Sequence, residues 1–282
     1  MRAKGETQLQ SSKMKPVNTE DDMKVGVGTP DDETQATRGF PLIVGGRNAK
    51  QGMFPWMVAL YYKDEIICAG AIVSNTSILT AAHCIIMEGV LQWTTSFYGI
   101  IGDVNRHLGR RIFFNSFTPH PNYDHFDNDL ALLTTQGTII FNELVKPICV
   151  ARPDTDDMEY LNTTSMGWGS TSRIRWGKKI PDILQYVKLN VAANDQCSFL
   201  FPRLSENQLC AGRRLSGICY GDSGGPLVHL SANNPPVAIG IAAYVNELVG
   251  CAKFTGLAVF TRLSNYYEFI TENNAGSKIC TV

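Results

Sequence analysis

Three short stretches carry side chains that together could do nucleophilic chemistry. They are Leu79-Thr80-Ala81-Ala82-His83-Cys84, Asp127-Asn128-Asp129-Leu130-Ala131-Leu132-Leu133 and Gly221-Asp222-Ser223-Gly224-Gly225-Pro226. A serine hydroxyl attacks poorly until a neighbouring base takes its proton. An imidazole titrates near neutrality and can be that base. A carboxylate behind the ring holds it in one tautomer and stabilises the imidazolium that forms. Ser223, His83 and Asp129 offer those three roles. Gly221 and Gly224 flank the serine and let the backbone bend, so that the N–H groups of Gly221 and Ser223 can meet at one developing oxyanion. Taken singly, each stretch has a plainer reading: a packed histidine, an aspartate opening a strand, a glycine-rich turn.

The elements around them read as all-β. From Ile43 onward the chain alternates short runs rich in Val, Ile, Phe, Tyr and Thr with Gly, Pro, Asn and Asp. Strands are expected at Met57–Tyr62, Ala71–Val73, Ile78–Ala82, Arg111–Phe114, Leu130–Thr134, Leu184–Val191, Val237–Tyr244 and Ala258–Arg262. A helix is expected over Ser264–Asn274, with Ser264 as its cap and Tyr267, Phe269 and Ile270 on its apolar face. Residues 1–42 differ. They are polar, hold Glu20-Asp21-Asp22 and Asp31-Asp32-Glu33, and have no aromatic before Phe40. The expectation is a flexible leader, followed by one domain over 43–282.

Composition narrows the function classes. The 282 residues are 44% apolar and 18% charged with net charge −1, which gives no reason to expect nucleic acid as a partner. The longest apolar run, Val237–Val245, is too short to span a bilayer and reads as a buried strand. The eight cysteines show no C-x-x-C pair and fit a disulfide framework better than a metal site. Spacing alone leaves their pairing open. An extracellular location follows as an expectation, although residues 1–42 lack the apolar core of a signal peptide.

The motifs, in this order, resemble those of the chymotrypsin/trypsin-like serine proteases. Besides the His, Asp and Ser stretches they include Ile43-Val44-Gly45-Gly46, Phe54-Pro55-Trp56, Pro121-Asn122-Tyr123 and Gly167-Trp168-Gly169. The resemblance implies two antiparallel six-stranded β-barrels of the chymotrypsin-like fold, with the active site between them and a C-terminal helix. It implies a polypeptide substrate cut through an acyl-enzyme, no cofactor, no metal, and protein protease inhibitors as further partners. It also implies the disulfides Cys68–Cys84, Cys197–Cys210 and Cys219–Cys251. The family often carries another where Thr163 and His229 stand here, so both partners are missing together. Cys149 and Cys280 are left as a pair, with a free Cys280 or a bond to another chain as alternatives.

In the family, a new N-terminus at Ile43 would pair its ammonium with Asp222 and set the oxyanion hole. The preceding residue is Leu42, not Arg or Lys, so the activating enzyme should accept leucine, and a second copy of this chain qualifies. The residue at the pocket base is Gly217, without charge, followed by Ile218. Tyr244 follows Ala243, and Val245 and Ala258 fill positions usually held by glycine. Together they imply a shallow, neutral, elastase-like pocket; an alignment shifted by one residue near Asn246–Gly250 would instead imply a chymotrypsin-like preference. Ala243 stands where a serine usually supports the triad Asp, implying reduced activity. A weakly active or silent homologue that serves as a binding module is the alternative reading. Asn75 and Asn162 open glycosylation triplets. Asp103 is the only acid between Trp93 and Asp124, so no calcium is expected. Arg173, Arg175, Lys178 and Lys179 suggest an exposed basic loop.

Overall fold

The computed structural model describes residues 43, 45–154, 158–171, 180–246, 250–252 and 255–282. The leader, Leu42, the basic run from Arg173 to Lys179 and positions 247–249 lie outside the described residues.

The strands in chain order are β1 (Arg47–Asn48), β2 (Met57–Tyr62), β3 (Glu65–Ile72), β4 (Ser77–Thr80), β5 (Ile86–Met87), β6 (Val90–Leu91), β7 (Phe97–Ile101), β8 (Arg110–Ile112) and β9 (Phe114–Pro119). They continue as β10 (Ala131–Thr135), β11 (Cys149–Val150), β12 (Asn162–Gly167), β13 (Gln185–Ala192), β14 (Gln208–Gly212), β15 (Pro226–His229), β16 (Val237–Val245) and β17 (Ala258–Arg262). A short helix, α1 (Asn194–Ser198), follows β13, and α2 (Tyr267–Glu272) lies near the end of the chain.

The strands form two main antiparallel layers. In the N-terminal sheet the order is β8-β7-β2-β3-β4-β10-β9. Its end strands β8 and β9 are separated in sequence only by Phe113, so the sheet must curl until its ends meet. In the C-terminal sheet β13-β12-β15-β16-β17-β14 closes on itself because β14 also pairs with β13. That ring is a closed six-stranded barrel. The chymotrypsin-like architecture is therefore present, with the first barrel curled rather than closed by pairing. β1 adds to β13, and β11 runs parallel to β16.

Each barrel is filled from within. Along β13, Gln185, Val187, Leu189 and Val191 are buried and alternate with more exposed residues, as a strand with one wet face requires. Phe260, Leu209, Leu227 and Ile239 meet them inside the second barrel. Leu60, Ile72, Leu79, Ile101, Phe114 and Leu132 fill the first. Burying one such side chain contributes about 1.5–3 kcal/mol. β16 is apolar through most of its length because it is covered on both sides, which explains the longest apolar run in the sequence.

All four disulfides form: Cys68–Cys84, Cys149–Cys280, Cys197–Cys210 and Cys219–Cys251. Cys280 is therefore not free. Thr163 and His229 face each other across β12 and β15, so the two positions without cysteine are indeed neighbours. The C-terminal helix is shorter than expected and begins differently. A 3₁₀ turn, Leu263–Tyr266, precedes α2, whose cap position is Tyr266. Ser264 is buried and its hydroxyl bonds Asn265 Oδ1 at 3.4 Å, so it caps nothing. Ile270 supplies the helix's buried contact, with Phe269 packed partly against the same core.

The end of the chain is laced onto β11. Val150 N–H donates to Cys280 O at 2.9 Å and Arg152 N–H to Val282 O at 3.0 Å, beside the Cys149–Cys280 bond. That bond closes a long loop, with a separation of 131 residues. Replacing both cysteines by alanine should lower stability by about 2–4 kcal/mol, or roughly 5–15 °C in Tm. Thermal unfolding checks this, and cleft labelling at Ser223 should not change.

Candidate active site

His83 lies in the one-turn 3₁₀ helix Ala82–Cys84, directly after β4, and Cys84 is tied to β3 through Cys68. The ring is thus held at the inner edge of the first barrel. Asp129 arrives from a different part of the chain. Asn128 before it takes a left-handed backbone, φ 56°. Its side chain is pinned at both ends: Nδ2–H donates to Asn122 O at 2.9 Å and Oδ1 accepts from Tyr266 O–H at 3.0 Å. An asparagine tolerates this conformation better than most residues.

The two side chains meet closely. Asp129 is buried, and its Oδ2 accepts from His83 Nδ1 at 2.7 Å while its Oδ1 accepts the His83 backbone N–H at 3.0 Å. A carboxylate only accepts, so Nδ1 carries the proton and Nε2 is free to act as a base. Burial alone pushes the imidazole down, but the charge and hydrogen bond of Asp129 outweigh it and raise the His83 pKa above 6.5. His83 keeps 32% of its side chain exposed, on the cleft side.

Ser223 comes from the second barrel. Its carbonyl accepts Ala69 N–H of β3 at 2.8 Å, and Gly224 N–H donates to Ala242 O at 2.8 Å. Gly224 has φ +76°, and a Cβ there would lie 2.4 Å from Ala69 O and 2.1 Å from Thr80 Oγ1. Only glycine lets the barrels approach this closely. Ser223, His83 and Asp129 all border one cleft of about 710 Å³. Among the described residues no hydrogen bond joins Ser223 to His83. In the same loop Gly221 has φ +97°, and the N–H groups of Gly221 and Ser223 donate to no protein acceptor among the described residues. The pentapeptide Gly221–Gly225 also spells the G-x-S-x-G of α/β-hydrolases, but strand β15 follows it here, not a helix.

Asp222 points the other way, into the protein. It is fully buried and accepts Gly169 N–H at 2.8 Å and Cys219 N–H at 2.9 Å. A Cβ on Gly169 would lie 2.4 Å from its carboxyl carbon, and one on Gly167 2.3 Å from Oδ1. The Gly167-Trp168-Gly169 motif is therefore the cradle of this carboxylate. No cationic side chain lies beside it among the described residues, and burial pushes its pKa up to about 7 despite the two N–H donors. Ile43 is also buried, in the core of the second barrel, with φ +41°. A β-branched residue in that region is strained by about 1–3 kcal/mol.

The residues expected to line the substrate pocket divide. Ile218, Tyr244 and Val245 line the cleft, together with Cys219, Tyr220 and Ala243. Gly217 and Ala258 do not. A Cβ on Gly217 would be 2.7 Å from Gly256 O, and Ala258 is buried and pairs with Val245 in the sheet. Ala243 sits at a bulge between β16 and β17. Among the described residues, Asp129 is the only acid on the cleft wall. Asn75 is half-buried in the β3–β4 turn and Asn162 is exposed at the start of β12. Sequence reading missed the far wall, formed by Phe126, Leu200–Arg203 and Asn246. Phe126 stands three residues before Asp129 and its place could have been inferred from that offset; Leu200–Arg203 belongs to no motif. It also missed Thr261, whose hydroxyl donates to Asp129 O at 2.9 Å from the second barrel.

The buried carboxylate gives a pH signature. With its pKa raised above the unfolded value of 3.8, Asp222 holds a proton in the folded chain that the unfolded chain has already lost. Its contribution is most favourable below pH 4 and is lost as pH rises to 7, by about 4 kcal/mol in all. With the 42–43 bond intact, the Asp222→Asn variant should therefore gain stability relative to the parent between pH 4 and pH 8. Denaturant unfolding at several pH values checks this; a constant difference would mean that Asp222 does not titrate there.

Comparison with known proteins agrees with this geometry. The family model described as Trypsin matches residues 43–270. The chain is 34% identical over 246 residues to the protein named Ovochymase from Halocynthia roretzi, covering 81% of this chain and 15% of that protein. The chain thus spans a small part of that relative's length. With a family match across most of its residues, two β-barrels and the cleft between them, the chain belongs to the trypsin family of serine proteases.

Proposed function

We propose that the chain is a secreted serine endopeptidase made as a zymogen, which cuts after small or medium aliphatic residues. The observation that carries this reading is the His83–Asp129 pair at 2.7 Å, opening on the same cleft as Ser223. In the proposed mechanism His83 Nε2 takes the Ser223 proton as the hydroxyl attacks the peptide carbonyl. The oxyanion accepts hydrogen bonds from Gly221 and Ser223 N–H. His83 then passes its proton to the leaving amine, Asp129 stabilising the imidazolium throughout. Water repeats the sequence on the acyl-enzyme. Four disulfides fit an oxidising, extracellular site of action.

Cleavage between Leu42 and Ile43 supplies the missing partner of Asp222. The new ammonium would neutralise a carboxylate whose burial otherwise holds it protonated, and would fix the loop that carries Gly221 and Ser223. The apolar wall of Ile218 and Val245 suits Leu42 itself, so one copy can activate another. A lysine or arginine would bury its charge in this pocket with no acid at the base, which costs several kcal/mol. Ala243 favours a second reading, a weakly active homologue that serves as a binding module, because it offers no hydroxyl to Asp129.

Organophosphate labelling of Ser223 after cleavage at Ile43 separates the two readings: full labelling is expected, and none would leave only the binding module. On peptide libraries, Val, Ala, Ile and Leu before the cut bond should exceed Arg and Lys by about 100-fold or more in kcat/KM. A preference for Phe and Tyr would instead favour the chymotrypsin-like alternative. The acid limb of kcat/KM should lie above pH 6.5, since His83 is raised and must be neutral to act. Asp129→Asn should move that limb down and lower kcat by about 10²–10⁴.

A further inference from the structure

The cleft continues beyond the pocket beside Ser223 into a lobe lined by His125, Phe126, Leu200, Phe201, Arg203 and Tyr244. Its floor is aromatic. Phe126 and Phe201 each meet the Tyr244 ring edge-on, with centroids 6.1 and 5.8 Å away. Phe126 leaves 45% of its surface exposed. The guanidinium of Arg203 lies over the Phe126 ring, 4.8 Å from its centroid, and its side chain is exposed. That stacking holds the cation at the rim while leaving its edge N–H groups outward.

The backbone N–H groups of Asp127 and Phe126 chiefly hold the Asp124 carboxyl below its usual range, and the Arg203 charge adds a smaller pull in the same direction. Asp124 Oδ1 accepts the backbone N–H groups of Phe126 and Asp127 at 3.1 and 2.7 Å, and Asp127 Oδ2 accepts Asn207 Nδ2–H at 3.3 Å. Asp129 is engaged by His83. Among the described residues no carboxylate lies within salt-bridge distance of Arg203. Arg203 is thus a cation stacked on the aromatic cleft wall, attracted by Asp124 at longer range but in direct ion-pair contact with no carboxylate among the described residues.

The mechanism sets which part of a substrate would reach it. His83 hands its proton to the leaving amine, so the leaving side of the peptide lies over His83 and the first barrel. The residue whose carbonyl is attacked places its side chain between Ile218 and Val245. The residues before it then run past Tyr244 towards Phe126 and Arg203. Resting on the peptidase reading, we propose that Arg203 is a specificity-determining residue that selects peptides with Asp or Glu two or three positions before the residue at the cut bond. The carboxylate meets the guanidinium edge, and the methylenes of the acidic side chain pack on Phe126 and Tyr244. The chain's own Gly39-Phe40-Pro41-Leu42 carries no acid at those positions, so it ranks among neutral peptides and its self-cleavage is slower than that of an acidic substrate.

The test uses the activated enzyme and peptides with Leu before the cut bond and Glu, Gln or Lys two or three positions earlier. Active sites are counted by organophosphate titration. At low salt the Glu peptides should exceed the Lys peptides by about three- to tenfold in kcat/KM, mainly through KM. The ratio should shrink in 0.5 M salt, as a partly exposed charge pair requires, approach one in Arg203→Gln and invert in Arg203→Glu, with the Gln peptides unchanged. Enzyme that titrates fully yet ranks the peptides alike, or keeps one ranking in Arg203→Glu, overturns the role of Arg203 and leaves the peptidase reading intact. Enzyme that neither titrates nor cleaves any peptide overturns both.

Discussion

The close approach of the two barrels at Gly224 is the constraint on which the rest of the structure depends. Ser223 belongs to the loop before β15, whereas His83 and Asp129 belong to the first barrel. They share a cleft because Ser223 O accepts Ala69 N–H across the seam, and because no side chain at 224 intervenes between that loop and Thr80. Thr80 Oγ1 itself donates to Ala69 O at 2.8 Å, so the hydroxyl is occupied and cannot turn towards the cleft. A methyl at 224 would collide with Ala69 O and Thr80 Oγ1 and push the Ser223 loop away from the first barrel. Apolar burial also crosses the seam, since Met166, Trp168, Val228 and Ile241 join the core of the first barrel, but close contact at Gly224 sets where Ser223 sits.

A second constraint is electrostatic. Asp222 is driven inwards by the turn that turns Ser223 outwards, and the interior offers it two backbone N–H groups and no cation among the described residues. Gly167 and Gly169 are needed for space and Gly221 for its backbone angle. An unneutralised carboxylate in this cradle weakens the loop that presents the oxyanion donors. Ile43, buried and strained, is the other half of that imbalance under the proposed activation, in which cleavage before it would release it. In that proposal, coupling one bond cleavage to both the strain and the charge would leave an uncut chain folded yet poorly preorganised.

Much of this was legible in the sequence, for reasons that can be named. Strands such as β2 and β17 were readable to the residue because apolar and β-branched runs there end at turn formers. The chemistry-bearing motifs were readable because each needs particular side chains and glycines in a fixed order. Less visible were features set by tertiary contact. Ser264 looked like a cap, but packing of Leu263 and Tyr266 draws the chain into a 3₁₀ turn first, and the hydroxyl is buried. Gly217 and Ala258 have positions in the motif order that imply a pocket wall, yet neither is among the residues that line the cleft. The Leu200–Arg203 wall could not be read at all, since a loop folded against β14 by Cys197–Cys210 carries no periodic pattern.

Ala243 raises the question of what holds Asp129 when the neighbouring strand offers it no hydroxyl. Both carboxylate oxygens are already engaged, and by the same residue, His83. The backbone of Asp129 is fixed separately: Thr261 donates to its carbonyl from β17, and Asn128 beside it is anchored by Tyr266 and Asn122. The orientation of the carboxylate therefore survives without a hydroxyl at 243. What is lost is one donor that would stabilise its charge, worth about 1.5–3 kcal/mol where nothing replaces it. The geometry of the His83–Asp129 pair thus stands without a hydroxyl at 243.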